Sequence, residues 1–386
     1  MIPYSRQSID NSDIKEIIKV LKSDFLTQGP KITEFETRLA NYCQSKYAIA
    51  TNSATSALHI ACMALGLKKG EIVWTSSISF VASANCALYC GAKINFVDID
   101  LNTLNIDPDE LERKLIIAKK EKRLPKIVIP VHMAGMPCDM PKIFSLSKKY
   151  GFKIIEDASH ALGAKFKNKK VGSCKYSDVT VFSFHPVKTI TTGEGGAATT
   201  NKKNLRIKMN ILKSHGINKD VKFFKKRKPG EWHYEQLFLG YNYRMSDISA
   251  AMGISQIKKI DKFVEKRNII ANKYYESLSD LPIKLQLFDQ KKYYSSFHLF
   301  IIQLELDNLK NTHKKIFSLL RRSGIGVNLH YAPIHLQPYY KKLGFKKGDF
   351  KNAEKYATRA ISIPVHPKLS HNQFKYVLEQ LKRIIK

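Results

Sequence analysis

The sequence predicts an α/β protein: a large domain on a mainly parallel sheet between helices, followed by a smaller α+β domain. Two observations carry that reading. From about residue 45 to 200, short β-branched runs alternate with segments whose apolar residues recur at three-and-four spacing, the pattern of βαβ units. Near residue 245 the alternation yields to one long helical pattern and then to sparser strands, which divides the chain into 1–255 and 256–386. With 386 residues, 44% hydrophobic and 25% charged, such a chain buries its core without disulfides or a structural metal.

Taken in order, the first element is a helix in which Ile14, Ile17, Ile18 and Leu21 form one stripe behind Ser12, the expected N-cap. Strands follow in EIVWTSSI (71–78), INFVDID (94–100), KIVIPVHM (126–133), FKIIEDA (152–158) and DVTVFSF (178–184). Between them Asp107-Pro108 opens a helix through Leu111 and Leu115, and Asp139 to Tyr150 forms another. Residues 245–278 read as one continuous helix of about nine turns that bridges the two domains. Beyond Leu281-Pro282 come strands in FHLFIIQLEL (297–306) and GVNLHYAPI (326–334), a helix from Thr312 to Arg322 and a last one from Asn372 to Ile385.

Lys+Arg exceed Asp+Glu by 65 to 33, a formal charge of +32, which invites a nucleic-acid reading. The lysines are dispersed singly or in pairs rather than gathered in an arm or stripe, so the charge reads as a general attraction for small anions. The densest run, Lys222 to Lys228, precedes Pro229-Gly230 and reads as an exposed loop. No stretch approaches the roughly 18 apolar residues of a spanning helix. The start MIPYSRQSIDNSD lacks a signal-peptide pattern, so a cytoplasmic protein without a membrane partner is expected. Six scattered cysteines without a CxxC pair or clustered histidines imply reduced packing thiols and no metal site.

Four segments carry chemistry. Lys188 lies between the apolar strand VTVFSF and the glycine-rich turn Gly193-Glu194-Gly195-Gly196, where partial desolvation would free its amine as a Schiff-base nucleophile. Standing alone, it would read as one more solvated lysine. Asp157 ends a predicted strand, where α/β proteins bind ligands, and could hold a pyridinium N–H or serve as a turn acid. The run Asn52-Ser53-Ala54-Thr55 opens a helix whose free N–H groups suit a phosphate or an ordinary cap. Arg244, in Gly240 to Asp247, could pair with a phosphate or carboxylate.

In this order and at these separations the segments resemble the sugar-nucleotide aminotransferases of the DegT/StrS family, end to end. The signature SFH-x-x-K-x-x-T-x-GEGG, the ED-A-x-H segment, NSAT-x-A-L, the N-Y-R element and Leu26-Thr27-Gln28-Gly29-Pro30 carry the likeness. Pro130 to Met140, residues 330–345 and AISIPVHPKLS (360–370) resemble the branch acting in pseudaminic acid biosynthesis.

The resemblance implies the fold type I architecture and pyridoxal 5'-phosphate, with Lys188 as covalent anchor and proton carrier and Asp157 on the ring nitrogen. His160 would meet the ring hydroxyl and Phe80 the ring face. Ala54, Thr55 and Ser183 would hold the phosphate, with Asn242 entering from a second copy in a homodimer. Tyr4, the run Asp24, Phe25, Leu26 and Thr27, together with Arg244, Leu329, His330 and Tyr331, would line a site for a UDP-4-keto amino sugar. L-glutamate is the implied donor. The branch acting on the 4-keto sugar of pseudaminic acid is expected, with bacillosamine-type or lipid A aminoarabinose substrates as the alternative. A sugar-3-dehydratase of this fold would carry histidine in place of Lys188.

Overall fold

The computed structural model describes residues 1–219 and 230–385, so the basic run 222–228 lies outside the described residues. Seven strands form the central sheet: β1 (Tyr47–Thr51), β2 (Ile72–Ser76), β3 (Lys93–Val97), β4 (Ile127–Ile129), β5 (Lys153–Asp157), β6 (Val179–Ser183) and β7 (Gly196–Thr200). They lie in the order β1-β7-β6-β5-β4-β2-β3, and within this sheet β7 alone runs against its neighbours. Helices α1 (Asn11–Leu21), α2 (Pro30–Cys43), α3 (Ala54–Ala64), α4 (Ala82–Tyr89), α5 (Pro108–Lys120), α6 (Met140–Tyr150) and α7 (Lys203–Leu212) surround it. One face buries Ile60, Phe96 and Ile127 beneath α3 and α4, and the other buries Leu111, Val128 and Ile143 beneath α5 and α6.

Five strands fall where the sequence places them. The other two, YAIAT of β1 and GAATT of β7, are short and rich in alanine and glycine, with Ile49 as their one large aliphatic residue, so the strand pattern is weak. Their small side chains serve close packing: a Cβ on Gly196 would stand 2.3 Å from the Ala54 backbone nitrogen, so glycine is what lets β7 touch the start of α3.

Caps follow the sequence at α5 and α6, where Asp107 accepts from the Asp109 N–H at 2.8 Å and Asp139 from the Lys142 N–H at 3.2 Å. At α1 the expectation of a Ser12 cap is corrected. Asp10 is the cap: it accepts from the Ser12 N–H at 2.9 Å while Asp13 accepts from the Asp10 N–H at 3.0 Å, a reciprocal box that leaves Ser12 inside the first turn.

The long helix is also corrected. It divides into α8 (Asp247–Ile257) and α9 (Ile260–Ser277) at Lys258-Lys259. No proline or glycine marks the break. Lys259 is held between Asp10 and Asp13, at 2.7 and 2.9 Å, and this anchor to α1 redirects the chain. Phe263 and Val264 of α9 then pack in the core under the large sheet, while Ala271 and Tyr274 enter a second core.

That second core lies under β8 (Ile283–Leu285), β9 (Phe300–Leu304) and β10 (Ala360–Ile363), an antiparallel sheet in the order β8-β9-β10. It also draws on α10 (His313–Arg322) and on α13 (His371–Ile385), through Ile316, Leu320, Val377 and Leu381. The short helices α11 (Pro338–Lys341) and α12 (Lys351–Ala357) lie between them in sequence. GVNLHYAPI forms no strand: its backbone makes a single bridge, Asn328 with Ser362, and Leu329 to Tyr331 then line the cleft. All six cysteines are free, and no helix of the described residues is long and apolar enough to cross a membrane.

Candidate active site

A cleft of about 460 Å³ opens where the parallel strands end. β5 brings Asp157 to it, β6 brings Ser183, the loop after β2 brings Ser79 and Phe80, and the start of α3 brings Ala54 and Thr55. Its far wall is Leu329, His330 and Tyr331 with His298, and Tyr4 comes from the N-terminal segment. That segment is stitched to the second sheet: the Gly326 N–H donates to the Ile2 carbonyl at 2.6 Å, and the Val365 N–H donates to that of Tyr4 at 3.0 Å.

Lys188 sits in a tight turn after β6, its N–H donating to the His185 carbonyl at 2.9 Å, while the preceding Val187 carbonyl accepts from the Ser5 hydroxyl at 2.8 Å. Gly193, at φ 80°, completes the turn. Burial lowers the Lys188 amine from the usual ammonium range to about 8, and the negative charge of Asp157 opposes the shift. An amine so placed is neutral often enough near physiological pH to attack a carbonyl.

Strand alternation separates the two acids of the Glu156-Asp157 pair. Glu156 points away from the cleft to His132 Nε2 at 2.9 Å and Thr180 Oγ1 at 2.9 Å. Asp157, only 4% exposed, lines the cleft, with Oδ2 accepting from Ser83 Oγ at 2.6 Å and Oδ1 from the Ser159 N–H at 3.0 Å.

Three imidazoles surround the amine. His160 Nε2 meets Tyr331 Oη at 3.0 Å, its Nδ1 is buried without a partner, and its ring centroid lies 4.5 Å from that of His298. Burial, reinforced by the Lys188 charge, holds His160 and His298 well below the ordinary imidazole value and lowers His330 to about 3. All three are neutral at physiological pH, so they add no like charge beside Lys188.

At the opposite end, Ser53 caps α3 by accepting from the Ser56 N–H at 3.1 Å. The leading N–H groups of a helix have no intrahelical acceptor, and with the helix dipole they favour an anion. Phe80 is 57% exposed although it lines the cleft, 6.1 Å from the Tyr331 ring.

The cleft thus gathers Tyr4, Ala54, Thr55, Phe80, Asp157, His160, Ser183, Lys188, Leu329, His330 and Tyr331 from the sequence-predicted set. The remainder cluster elsewhere. Arg244 Nη1 donates to Ser214 Oγ at 3.2 Å, Asn242 bridges Ser214, Thr27 bridges Ser246, and the Asp247 N–H donates to the Leu26 carbonyl at 2.9 Å. Asp24 and Phe25 lie exposed beside them. Sequence reasoning missed His298, Ser79 and Ser83. The serines had a visible signal, four residues apart at a helix start, whereas His298 sits in an apolar run that reads only as a strand.

Compared with known proteins, residues 7–382 match the model of the DegT/DnrJ/EryC1/StrS aminotransferase family. The chain is 42% identical to the UDP-4-amino-4,6-dideoxy-N-acetyl-beta-L-altrosamine transaminase of Campylobacter jejuni, over 100% of its own length and 98% of that protein. Among solved structures it superposes on Helicobacter pylori PseC, an aminotransferase of pseudaminic acid biosynthesis, with TM-score 0.89 and 32% identity, covering 100% of this chain and 99% of that one. It also matches Streptococcus pneumoniae Spr1654 in its PMP form, with TM-score 0.88 and 30% identity over 100% and 99% of the two chains, and likewise in its PLP form.

The residues fit that cofactor: a buried carboxylate on the cleft wall, a desolvated amine beside it, an unpartnered imidazole nitrogen and a helix start for a phosphate. Among the described residues no cluster of three or more His, Cys, Asp or Glu could hold a metal ion. The chain belongs to the DegT/DnrJ/EryC1/StrS aminotransferase family and is a fold type I sugar aminotransferase that uses pyridoxal 5'-phosphate.

Proposed function

We propose that this enzyme moves the amino group of L-glutamate to C4 of a UDP-4-keto-6-deoxy-N-acetylhexosamine of the L-arabino series. The product is UDP-4-amino-4,6-dideoxy-N-acetyl-beta-L-altrosamine, a precursor of pseudaminic acid. The observation that carries the reading is the 42% identity to the altrosamine transaminase along the whole chain.

When bound, pyridoxal phosphate draws away the electron pair left at the donor's α-carbon as the proton departs. The chain supplies the rest. Lys188 would anchor the cofactor, be released when the donor's amine takes its place, and then carry the proton from the donor's Cα to the cofactor's C4′, a role suited to an amine lowered to about 8. Asp157 accepts the ring N–H, and its charge keeps that nitrogen protonated. His160 meets the ring hydroxyl, and Phe80 covers the ring face. The backbone of Ala54 and the Thr55 and Ser183 hydroxyls, which line the cleft at the positive end of α3, would hold the phosphate.

The sugar nucleotide would occupy the outer cleft against Tyr4 and Leu329 to Tyr331. Arg244, Asn242 and residues Asp24 to Thr27 do not line their own cleft, although the Asn242 carbonyl accepts from Asn52 Nδ2 at 3.4 Å, and Phe25, Leu26 and Leu239 are exposed apolar residues. That arrangement supports a homodimer in which Asn242 of the partner subunit completes the phosphate site and Arg244 of the partner subunit meets an anionic group of the substrate. The division of the chain near residues 255 and 256 belongs to the same proposal, supported by the second core under β8, β9 and β10, while Phe263 and Val264 still pack under the large sheet. So does a cytoplasmic location, supported by six free cysteines.

Supplying the protein with L-glutamate and each of two C5-epimeric UDP-4-keto sugars, and identifying products by NMR, tests the substrate. Amination of the L-arabino epimer at C4 is expected. Exclusive amination of the other epimer would assign the enzyme to a different glycan.

A further inference from the structure

We propose that Ser79 and Ser83 form a hydroxyl relay that fixes Asp157 in position and leaves Ser79 as a hydrogen-bond acceptor on the cleft wall. Ser83 Oγ lies 2.6 Å from Asp157 Oδ2, and Ser79 Oγ lies 2.7 Å from Ser83 Oγ. Both serines are buried, and Ser79 lines the cleft. A carboxylate accepts only, so Ser83 spends its single proton on Asp157. Ser83 can then meet Ser79 only by accepting, which commits the Ser79 proton inward. The lone pairs of Ser79 that remain can take an N–H or O–H from a ligand but cannot offer a donor to one.

The other Asp157 oxygen is tied to the Ser159 N–H, so the carboxylate is held at both ends in a fixed plane. Each oxygen still accepts a further bond. Ser83 is a positioning residue: it touches no ligand itself and acts by holding the acceptor that does. α4 carries Ser83 and the preceding loop carries Ser79 and Phe80, so one short segment orients both the ring-nitrogen acceptor and the aromatic on the cleft wall.

The inference rests on the reading of Asp157 as the ring-nitrogen partner, and the test separates the two. Apparent dissociation constants of pyridoxal phosphate from the apoprotein are measured for wild type, Ser79→Ala, Ser83→Ala, Asp157→Asn and the Ser83→Ala/Asp157→Asn double variant. The pH dependence of the bound cofactor's absorbance and the unfolding temperature are recorded for each. Loss of a hydrogen bond to a charged group predicts about tenfold weaker binding for Ser83→Ala in the wild-type background. In the Asp157→Asn background the same change should cost less than about twofold, because the effects of residues acting through one another do not add. Ser79→Ala keeps the inner bond, so it should fall between Ser83→Ala and wild type. Wild-type binding by Ser83→Ala, or an equal loss in both backgrounds, overturns the relay while Asp157 keeps its role. Wild-type binding and spectrum in Asp157→Asn overturn both.

Discussion

Asp157 opposes, at Lys188, the loss of charge that burial imposes: desolvation brings the amine down to about 8, and the carboxylate limits the fall. A base and an anion are thereby held in one cleft, the anion favouring the charged form of the base.

The titration of Lys188 is the first consequence. In the apoprotein its reaction with an amine-directed reagent should rise with pH through a midpoint near 8, whereas solvated lysines follow their ordinary value near 10.4. Asp157→Asn removes the stabilising anion and should move that midpoint lower still. Peptide-resolved labelling across a pH series measures both, and an upward shift in the variant would contradict the geometry.

Asp157→Asn should also leave the fold intact while cutting turnover on the order of a thousandfold, about 4 kcal/mol of barrier. Asparagine keeps the shape of the side chain but can no longer hold a proton on the ring nitrogen. Steady-state rates beside a far-ultraviolet spectrum check this, and near-normal turnover removes Asp157 from the role.

Gly196→Ala places a methyl 2.3 Å from the Ala54 nitrogen, so β7 and the start of α3 must part. Cofactor affinity should fall about tenfold or more through the displaced N–H groups, with KM for L-glutamate changing less. An equilibrium titration with pyridoxal phosphate reads the effect directly.

Acid should unfold the protein through its buried imidazoles. The folded values of His160, His298 and His330 lie below the unfolded value near 6.5, so below that pH the unfolded chain binds more protons and stability drops as pH falls. Thermal unfolding between pH 7 and 4.5 should show a decline, and His330→Gln should make it shallower. An unchanged slope in that variant would mean that folding does not lower His330.

Mixing subunits tests the partner contribution. Lys188→Ala and Asn242→Ala proteins, each impaired alone, should recover about a quarter of wild-type activity after co-refolding, because half the dimers then carry one intact site. Recovery requires that Asn242 serve the other subunit's cleft, and no recovery places it with its own.

Much of this was legible in the sequence because the chemistry lies at the ends of strongly patterned strands. FKIIEDA and DVTVFSF announce β5 and β6, and with them the positions of Asp157 and Lys188. What escaped were elements whose reason is tertiary. YAIAT and GAATT became strands because α3 needs small neighbours, the break at Lys258-Lys259 depends on acids in α1, and GVNLHYAPI left the sheet to form the cleft wall. Ser83 and His298 escaped for a related reason, since a hydroxyl or imidazole gains its role only from what the fold sets beside it.

Reduction of the holoenzyme with borohydride, followed by peptide mapping, addresses the central claim directly. One pyridoxyl adduct per chain is expected, on the peptide bearing Lys188, and it should vanish in Lys188→Ala together with transamination. An adduct on a different lysine, or full turnover by that variant, would contradict it.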